Sequence, residues 1–556
     1  MYVVDDAAQV RAWDEQTCRE QGLTSLALME RAARTFAEVF VARFPVDDHT
    51  VVDVLCGPGN NGGDGAAIAR LLEARGYEVH VWGFWADAEG RSLDLVANWG
   101  RLAERHHPRL RVNESYQPTP GTRVIVDALF GVGLSRMLSG AFAKTVVAVN
   151  ERADGITAVS VDVPSGQRVD GGAPDWSCVH ADLTATFGSP KQACLLRETG
   201  AAWGEPVLLP VGLAEPPAWA TPSTPRVLTD GFVRELAGAL AGPRRRFTHK
   251  GTYGHVLVLA GSRGHAGAAL LAGCGAYHAG CGLVTFHVPS RLEQAVQIGL
   301  PEAMCFVDPH DDHLTAVPDL ERYDAVVVGP GIGQHADTRA ALTDLFERVG
   351  ERPVVIDADA LNLVAAHPEL RASLPPRSIL TPHPGEFARL AGAGPDGYAQ
   401  LQALRAFAKT LPAESAIVLK GQYTAVAAAD GRLAYNFFAG NPGMASGGMG
   451  DVLAGCLAGL AARSADAYAV ACLGVLAHAR AGDLTRRARG EDGVLAGGVA
   501  ERLGLAMRTV ATDPLTSSTQ SPWPDPSSPS SPAPACRPSR ASAPSATTTA
   551  SGKTTT

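Results

Sequence analysis

The chain has 556 residues, 46% of them hydrophobic and 19% charged. This excludes a single small binding module and a wholly disordered chain, and leaves room for roughly two to four domains. Lysine and arginine number 48 against 57 aspartates and glutamates, a formal charge of −9; such a balance offers no footprint for nucleic acid or an anionic membrane, so small molecules are the expected partners. The first residues, MYVVDDAAQVRAWDEQT, carry acids early and lack the basic start and apolar run of a signal peptide, so a cytoplasmic location is expected. The ten cysteines form no CxxC pair and read as reduced thiols. The most apolar stretch of the second half is interrupted by Asp451, Arg463 and Asp466, and no membrane segment is expected.

In chain order, short β-branched runs alternate with Ala/Leu-rich stretches of helical period: TVVDVLCG, DGAAIARLLEARG, YEVHVWGFW, TRVIVDALFG, ITAVSVDVPSG. A second series, GHVLVLAGS, GLVTFHVPS, YDAVVVGPGIG, PVVIDADALN and SAIVLKGQY, follows the proline-rich LAEPPAWATPSTPRVL. The alternation predicts parallel strands with crossover helices, an α/β architecture in two units of different kind, since no 20- to 50-residue repeat relates the halves. The expected boundaries are 1–215, a linker at 216–227, 228–510, and a Ser/Pro/Thr/Ala-rich tail at 511–556 that is too poor in large apolar residues to fold.

The first strand runs into GPGNNGGDG, read as a ligand loop beyond the carboxyl end of a strand. Asn60, Asn61 and Asp64 add side-chain oxygens to it, which suit a hard cation or a ribose. A glycine-rich turn with Asx caps is the plainer reading. Asp127 closes another strand before a second glycine-rich loop, and Asp162 and Ser165 follow a third; each aspartate alone could be a helix cap.

Taken in this order, NNGGDG, VDALFGVGLSR and VDVPSG resemble the epimerase domain of NAD(P)H-hydrate repair enzymes, over residues 1 to about 215. The resemblance implies a Rossmann-like three-layer fold and a substrate that is NAD(P)H with water added across C5=C6 of the nicotinamide. It implies that Asn60, Asn61, Gly62, Gly63 and Asp64, with Gly131, Val132, Gly133, Leu134, Ser135, Arg136 and Met137, line the hydrated nucleotide. Asn61, Asp127 and Ser165 would hold a potassium ion. Asp162 would contact the nicotinamide end as acid/base group, with Lys191 of FGSPKQ either its neighbour or an ordinary solvated lysine.

In the second half, NPGMASGGMGDVLAGCLAGLAA places Gly447, Gly448 and Gly450 before a helix whose first-turn amides can bind a transferring phosphate. Asp451 sits in that first turn, where amides and the positive helix end are expected to keep it ionised and able to take a proton from an attacking hydroxyl. A plain helix-stabilising Asp is the alternative. Together with HKGTYGHVLVLAGS, GPGIG, DADALN, TPHPGE and LKG, this motif resembles the ribokinase-like dehydratase of the same repair system, over about 228–510. That implies phosphorylation of the C6 hydroxyl by ADP, as in bacteria, or ATP, with Mg²⁺, and then loss of phosphate. Ala268, Gly331, His383 and Asp451 would contact the hydrated substrate, and Lys420, Gly421, Gln422, Tyr423, Thr424 and Gly450 the adenine nucleotide. Met449 departs from the small or hydroxylic residue usual at its place, and Gln422 and Tyr423 are bulky for a nucleotide loop.

The expected protein is a cytoplasmic, homo-oligomeric enzyme acting on NADHX and NADPHX with ADP, giving AMP and phosphate. A ribokinase-like kinase of a small alcohol with a regulatory first half, or a nucleotide-binding scaffold, are the competing readings.

Overall fold

The computed structural model describes residues 2–4, 6–46, 50–85, 90–104, 109–172, 176–215, 220–221 and 224–511. The first half holds a seven-stranded, wholly parallel sheet: β1 Val51–Cys56, β2 Glu78–Gly83, β3 Leu110–Val112, β4 Thr122–Ala128, β5 Thr157–Val161, β6 Leu183–Phe187 and β7 Glu205–Leu209, in the order 3-2-1-4-5-6-7. Strand β1 is buried along its whole length. Helices cover both faces of such a sheet, which is why its strands read as continuous apolar runs rather than as alternations. The strand order reverses between β1 and β4, so the loops after these two strands diverge and open a crevice at their carboxyl ends.

The second half holds ten strands: β8 Arg226–Val227, β9 His255–Leu259, β10 Leu283–Pro289, β11 Met304–Asp308, β12 Ala325–Val328, β13 Val354–Ile356, β14 Ser378–Leu380, β15 Ala416–Leu419, β16 Ala425–Ala428 and β17 Leu433–Tyr435. Their order is 11-10-9-12-13-14-15-16-17-8, parallel except for the hairpin pairs β15–β16 and β16–β17. Here the reversal lies between β9 and β12. The α/β fold class, with two different parallel sheets, is therefore as the sequence suggests. Among the described residues no helix is long and apolar enough to cross a membrane.

Three features differ from the sequence expectation. The run NNGGDG is not a loop: the helix Asn60–Glu73 starts at Asn60, capped by Gly59, and these glycines lie inside its first turns. A Cβ on Gly62 would sit 1.9 Å from the Gly57 carbonyl oxygen, and one on Gly57 1.8 Å from that of Leu129. The glycines thus let the helix start, the β1 turn and the β4 loop touch backbone to backbone. Second, the segment 216–227 is not wholly a linker, because Arg226 and Val227 form the edge strand β8. Its outer side pairs with the start of the chain: the Val4 amide donates to Pro225 O at 2.9 Å and the Val227 amide to Tyr2 O at 3.1 Å. Residues 2–4 consequently extend the second sheet, not the first. Third, Ala511 still belongs to the helix Ala496–Ala511; the rest of the expected tail, 512–556, lies outside the described residues.

The halves share one apolar core. Val163, Val169, Cys194, Leu195 and Trp203 of the first half pack in the same cluster as Val227, Leu257, Phe437 and Phe387 of the second. The Gly397 amide donates to Glu198 Oε2 at 2.7 Å across the same boundary.

Within the second half, the helices Ala266–His278 and Met449–Ala461 cross at backbone distance. A Cβ on Gly455 would lie 1.9 Å from the Ala272 carbonyl oxygen, and one on Gly459, a turn later, 2.4 Å from that of Ala276. Gly455→Val should therefore destabilise the protein by about 3 kcal/mol, as overpacking does, measured by urea unfolding. Gly497→Ala, whose added methyl meets nothing within 4 Å, should instead stabilise it by about 0.5–1 kcal/mol.

Candidate active sites

At the first crevice, Asp127, the penultimate residue of β4, is fully buried. Its carboxylate accepts from Ser160 Oγ at 2.8 Å, the Ser165 amide at 2.9 Å and the Leu129 amide at 3.3 Å. Burial raises its pKa, and these hydrogen bonds only partly offset that rise. No cationic side chain among the described residues pairs with it. Ser165 Oγ in turn spans the Phe130 amide and carbonyl at 2.8 and 3.1 Å, while Asn61 is buried with its Nδ2 unpartnered. The Asn61 Oδ1 stands 3.0 Å from where a Gly131 Cβ would be. Asn61, Asp127, Ser165 and Gly131 are thus brought together.

Asp162, just after β5, has φ of 66°, a conformation that non-glycine residues rarely adopt. Backbone and side chain both fix it there: the Asp162 amide donates to Ala185 O and the Val163 amide to Val161 O, each at 2.8 Å. Asp162 Oδ1 accepts from Lys191 Nζ at 2.7 Å, the Phe187 amide at 3.1 Å and Thr186 Oγ1 at 3.2 Å. Lys191 is wholly buried and also donates to Phe187 O at 2.7 Å, which overturns the solvated-lysine reading: an ammonium without water must keep a carboxylate partner. Asp64 faces the same space. Burial first, and the Asp162 charge second, raise its pKa well above the usual carboxylate range. The rest of the expected lining, Gly133, Ser135, Arg136 and Met137, is an exposed rim, with Val132 and Leu134 packed beneath it.

At the second crevice, Gly331 follows β12 with φ of 63°, and its Cβ position is 3.1 Å from Ala268 Cβ and 2.9 Å from His265 Cβ. Asp451 sits in the first turn of the helix from Met449, whose N-cap is Gly448. Contrary to the expectation of a firmly ionised carboxylate, burial and the nearby Asp357 raise its pKa to about 7, which Lys420 only partly counters. Lys420 Nζ is 2.8 Å from Asp357 Oδ1 and 3.9 Å from Glu386 Oε2. Thr381 Oγ1 donates to the same Asp357 oxygen at 2.8 Å. The Gly450 backbone fits over this group, since a Cβ there would lie 3.3 Å from Lys420 Nζ and 3.7 Å from Asp357 Oδ2. Beneath it, His478 is buried, hydrogen-bonded to the Met449 backbone, and its pKa is pushed down to about 4, so it stays neutral. The Met449 side chain is buried in the core and leaves the start of the helix to the backbone.

Residues 25–193 match the model of the YjeF-related protein N-terminus, and residues 256–504 that of NAD(P)H-hydrate dehydratase. The bifunctional NAD(P)H-hydrate repair enzyme of Coxiella burnetii is 35% identical over 491 residues, 87% of this chain and 95% of its own. The chain belongs to this family. The Escherichia coli repair enzyme is 33% identical over 91% of this chain and 94% of its own. Among solved structures, an ADP/ATP-dependent NAD(P)H-hydrate dehydratase from Bacillus subtilis co-crystallised with ATP/Mg²⁺ is 32% identical, covering 51% of this chain and 98% of that one, with a TM-score of 0.44.

In this repair-enzyme chain two residues of the nucleotide set stand apart. The Tyr423 ring stacks on Phe437 at 5.4 Å and shares a hydrogen bond with Cys194, so its side chain serves the packing between the halves and not a ligand. Gln422 is exposed, and Thr424 Oγ1 closes the Gly421 turn by donating to Gly421 O at 3.1 Å. His383 caps the helix Pro384–Ala391 through Nδ1, which accepts from the Gly385 amide at 3.0 Å, and Glu386 returns a bond to the His383 amide at 2.8 Å. Its ring is half exposed. Asp357 and Glu386 were missed as site residues. Both lie in quoted motifs, and Asp357 lies at the end of strand β13 much as Asp127 lies near the end of β4; that shared position was the available signal.

The charge balance at Asp451 is testable. Asp357→Asn removes a negative neighbour and should move the Asp451 titration below 7, while Lys420→Met should move it above, both followed by carboxyl carbon NMR.

Proposed function

We propose that this chain repairs hydrated nicotinamide cofactors: its first half interconverts the R and S hydrates and its second dehydrates the S form. What supports this most directly is that one chain of this family carries a carboxyl group in each of two crevices, Asp162 ion-paired with the buried Lys191 and Asp451 beside Asp357 and Lys420, where burial and Asp357 raise its pKa to about 7. Neither a scaffold nor a simple alcohol kinase needs the first of these.

For epimerisation, C6 carries its hydroxyl beside the ring nitrogen. A protonated carboxyl helps the hydroxyl leave as water while the nitrogen lone pair forms an iminium; water then adds to the other face and returns a proton. Asp64, whose pKa burial and the Asp162 charge push upward, and Asp162, ion-paired with Lys191, form a carboxyl pair of unlike surroundings suited to the two proton transfers. A buried carboxylate without a cationic partner and the neighbouring side-chain oxygens fit a potassium ion at Asn61, Asp127 and Ser165. Bound there, it would supply the positive charge that Asp127 lacks.

For dehydration, the C6 hydroxyl attacks the terminal phosphoryl of ADP and gives its proton to Asp451, releasing AMP. The C6–O bond then breaks with phosphate as leaving group, the nitrogen pushing it out, and loss of a proton from C5 restores the C5=C6 double bond. Lys420 lies beside the Gly450 amide turn that would cradle the phosphates. Asp357 Oδ2, turned toward Gly450, is the oxygen that would hold the Mg²⁺ accompanying the nucleotide, which would offset the charge of the phosphates. His383 and Ala268 with Gly331 would border the nicotinamide end. The same reading assigns the enzyme to the cytoplasm as a homo-oligomer, which fractionation and sedimentation test.

Mixed NADHX epimers incubated with ADP, Mg²⁺ and K⁺ should regain the full absorbance of reduced nicotinamide; no recovery from either epimer refutes the reading, and ATP in place of ADP tests the donor. Asp451→Asn should slow recovery of both by about 10²–10⁴-fold. Asp162→Asn should leave repair of the S form unchanged and stall the R form, so that recovery stops near the initial S fraction. Exchange of K⁺ for Li⁺ should lower the melting temperature, since a bound ion stabilises the folded state by mass action.

A further inference from the structure

Outside both crevices, His313, His335 and Asp337 bring their donor atoms within 4.8 Å of one another, the one such group among the described residues. Asp337 Oδ2 is 3.3 Å from His313 Nε2 and 3.3 Å from His335 Nδ1. A tetrahedral ion with bonds of ~2.0–2.1 Å sets its ligand atoms about 3.3 Å apart. The edge from Asp337 to His313 Nε2 therefore already has the required length; His335 Nδ1 would exchange its capping bond from the Asp337 amide for the ion, and rotation of side chains that are at least partly exposed closes the site.

The loops that carry these groups are held in place. Asp308, at the end of β11, accepts from the His310 amide at 2.9 Å, the Thr315 amide and hydroxyl at 2.8 and 2.7 Å, and the Ala316 amide at 3.0 Å, tying down the turn that presents His313. His335 caps the helix Ala336–Arg348 through Nδ1, which accepts from the Asp337 amide at 3.2 Å. A third imidazole, His310, lies against His313 with ring centroids 3.8 Å apart, and His313 against His335 at 4.0 Å.

We propose that His313, His335 and Asp337 form a binding site for a divalent transition-metal ion of the Zn²⁺ class, with the fourth position left to His310 or water. Two imidazoles and one carboxylate select such an ion over Mg²⁺, which prefers oxygens alone. The ion would clamp the loop after β11 to the loop after β12. The latter contains Gly331, and the former is already bonded to the β9 loop through the Arg263 amide and Asp312 O at 2.9 Å. The clamp therefore borders the dehydratase crevice without using any residue assigned to substrate there.

The test uses the full, untagged chain stripped with chelator and titrated with Zn²⁺ against a chromophoric competitor. The expected result is one ion per chain, bound tighter than about 10 µM, weakened at least 100-fold in His313→Ala and in Asp337→Asn; the latter keeps the side-chain shape, so its loss reports ligation and not misfolding. Co²⁺ should give the intense visible bands of four-coordination, absent in both variants, and excess Mg²⁺ should not compete. Equal Zn²⁺ binding by wild type and variants, which would assign the ion to thiols elsewhere, or no binding at that concentration, overturns the proposal.

Discussion

The second crevice depends on how closely two helices can approach. The helix that begins at Met449 carries Asp451 on its first turn, and the helix from Ala266 begins just beyond the loop after β9. Gly455 and Gly459 remove the side chains that would otherwise hold these helices apart, so backbone meets backbone at Ala272 and Ala276. Helices separated by ordinary side chains pack 8–10 Å axis to axis, and such spacing would draw Asp451 away from the switch point between β9 and β12. The abundance of glycine thus has two uses: open backbone where a ligand is to be received, and close contact where the receiving elements must be set.

Much of this was readable from one sequence because the signals are local. Parallel strands appear as short β-branched runs, and polar residues that end them, Asp127, Asp162 and Ser165, fall at the carboxyl edge of the sheet by topology alone. The misreadings concern what distant segments do to one another. NNGGDG looks like a loop because it is rich in glycine, yet the helix begins inside it because the β4 backbone lies against it. Lys191 could not be told from a surface lysine until β6 and the Asp162 turn were in place. Tyr423 belongs to a nucleotide motif by position but turns to Cys194, a contact set by the packing of the two halves.

The proton affinities of the two sites follow the same logic. At Asp451 the sequence argument weighed the helix end and its amides, which favour the carboxylate. The fold adds burial and Asp357, which oppose it and win. The result is a group that changes protonation near neutral pH, which suits a base that must accept a proton and later release it. In the first crevice burial and the Asp162 charge push the Asp64 pKa upward, while Asp162 itself is ion-paired with Lys191.

The pairing of residues 2–4 with the edge strand β8 bears on how the chain is made. Residues 2–4 find their partner only after more than two hundred later residues have been made, and β8 itself docks on β17, synthesised later still. Contacts of such sequence separation are slow to form, so the margin of the second sheet closes late. Until then the β17 side of that sheet is an open strand edge, a template for pairing with other chains. A fragment that begins after the expected linker would keep that edge permanently. The two activities are therefore joined by more than their shared substrate, because the first half of the chain supplies the border that shields the second.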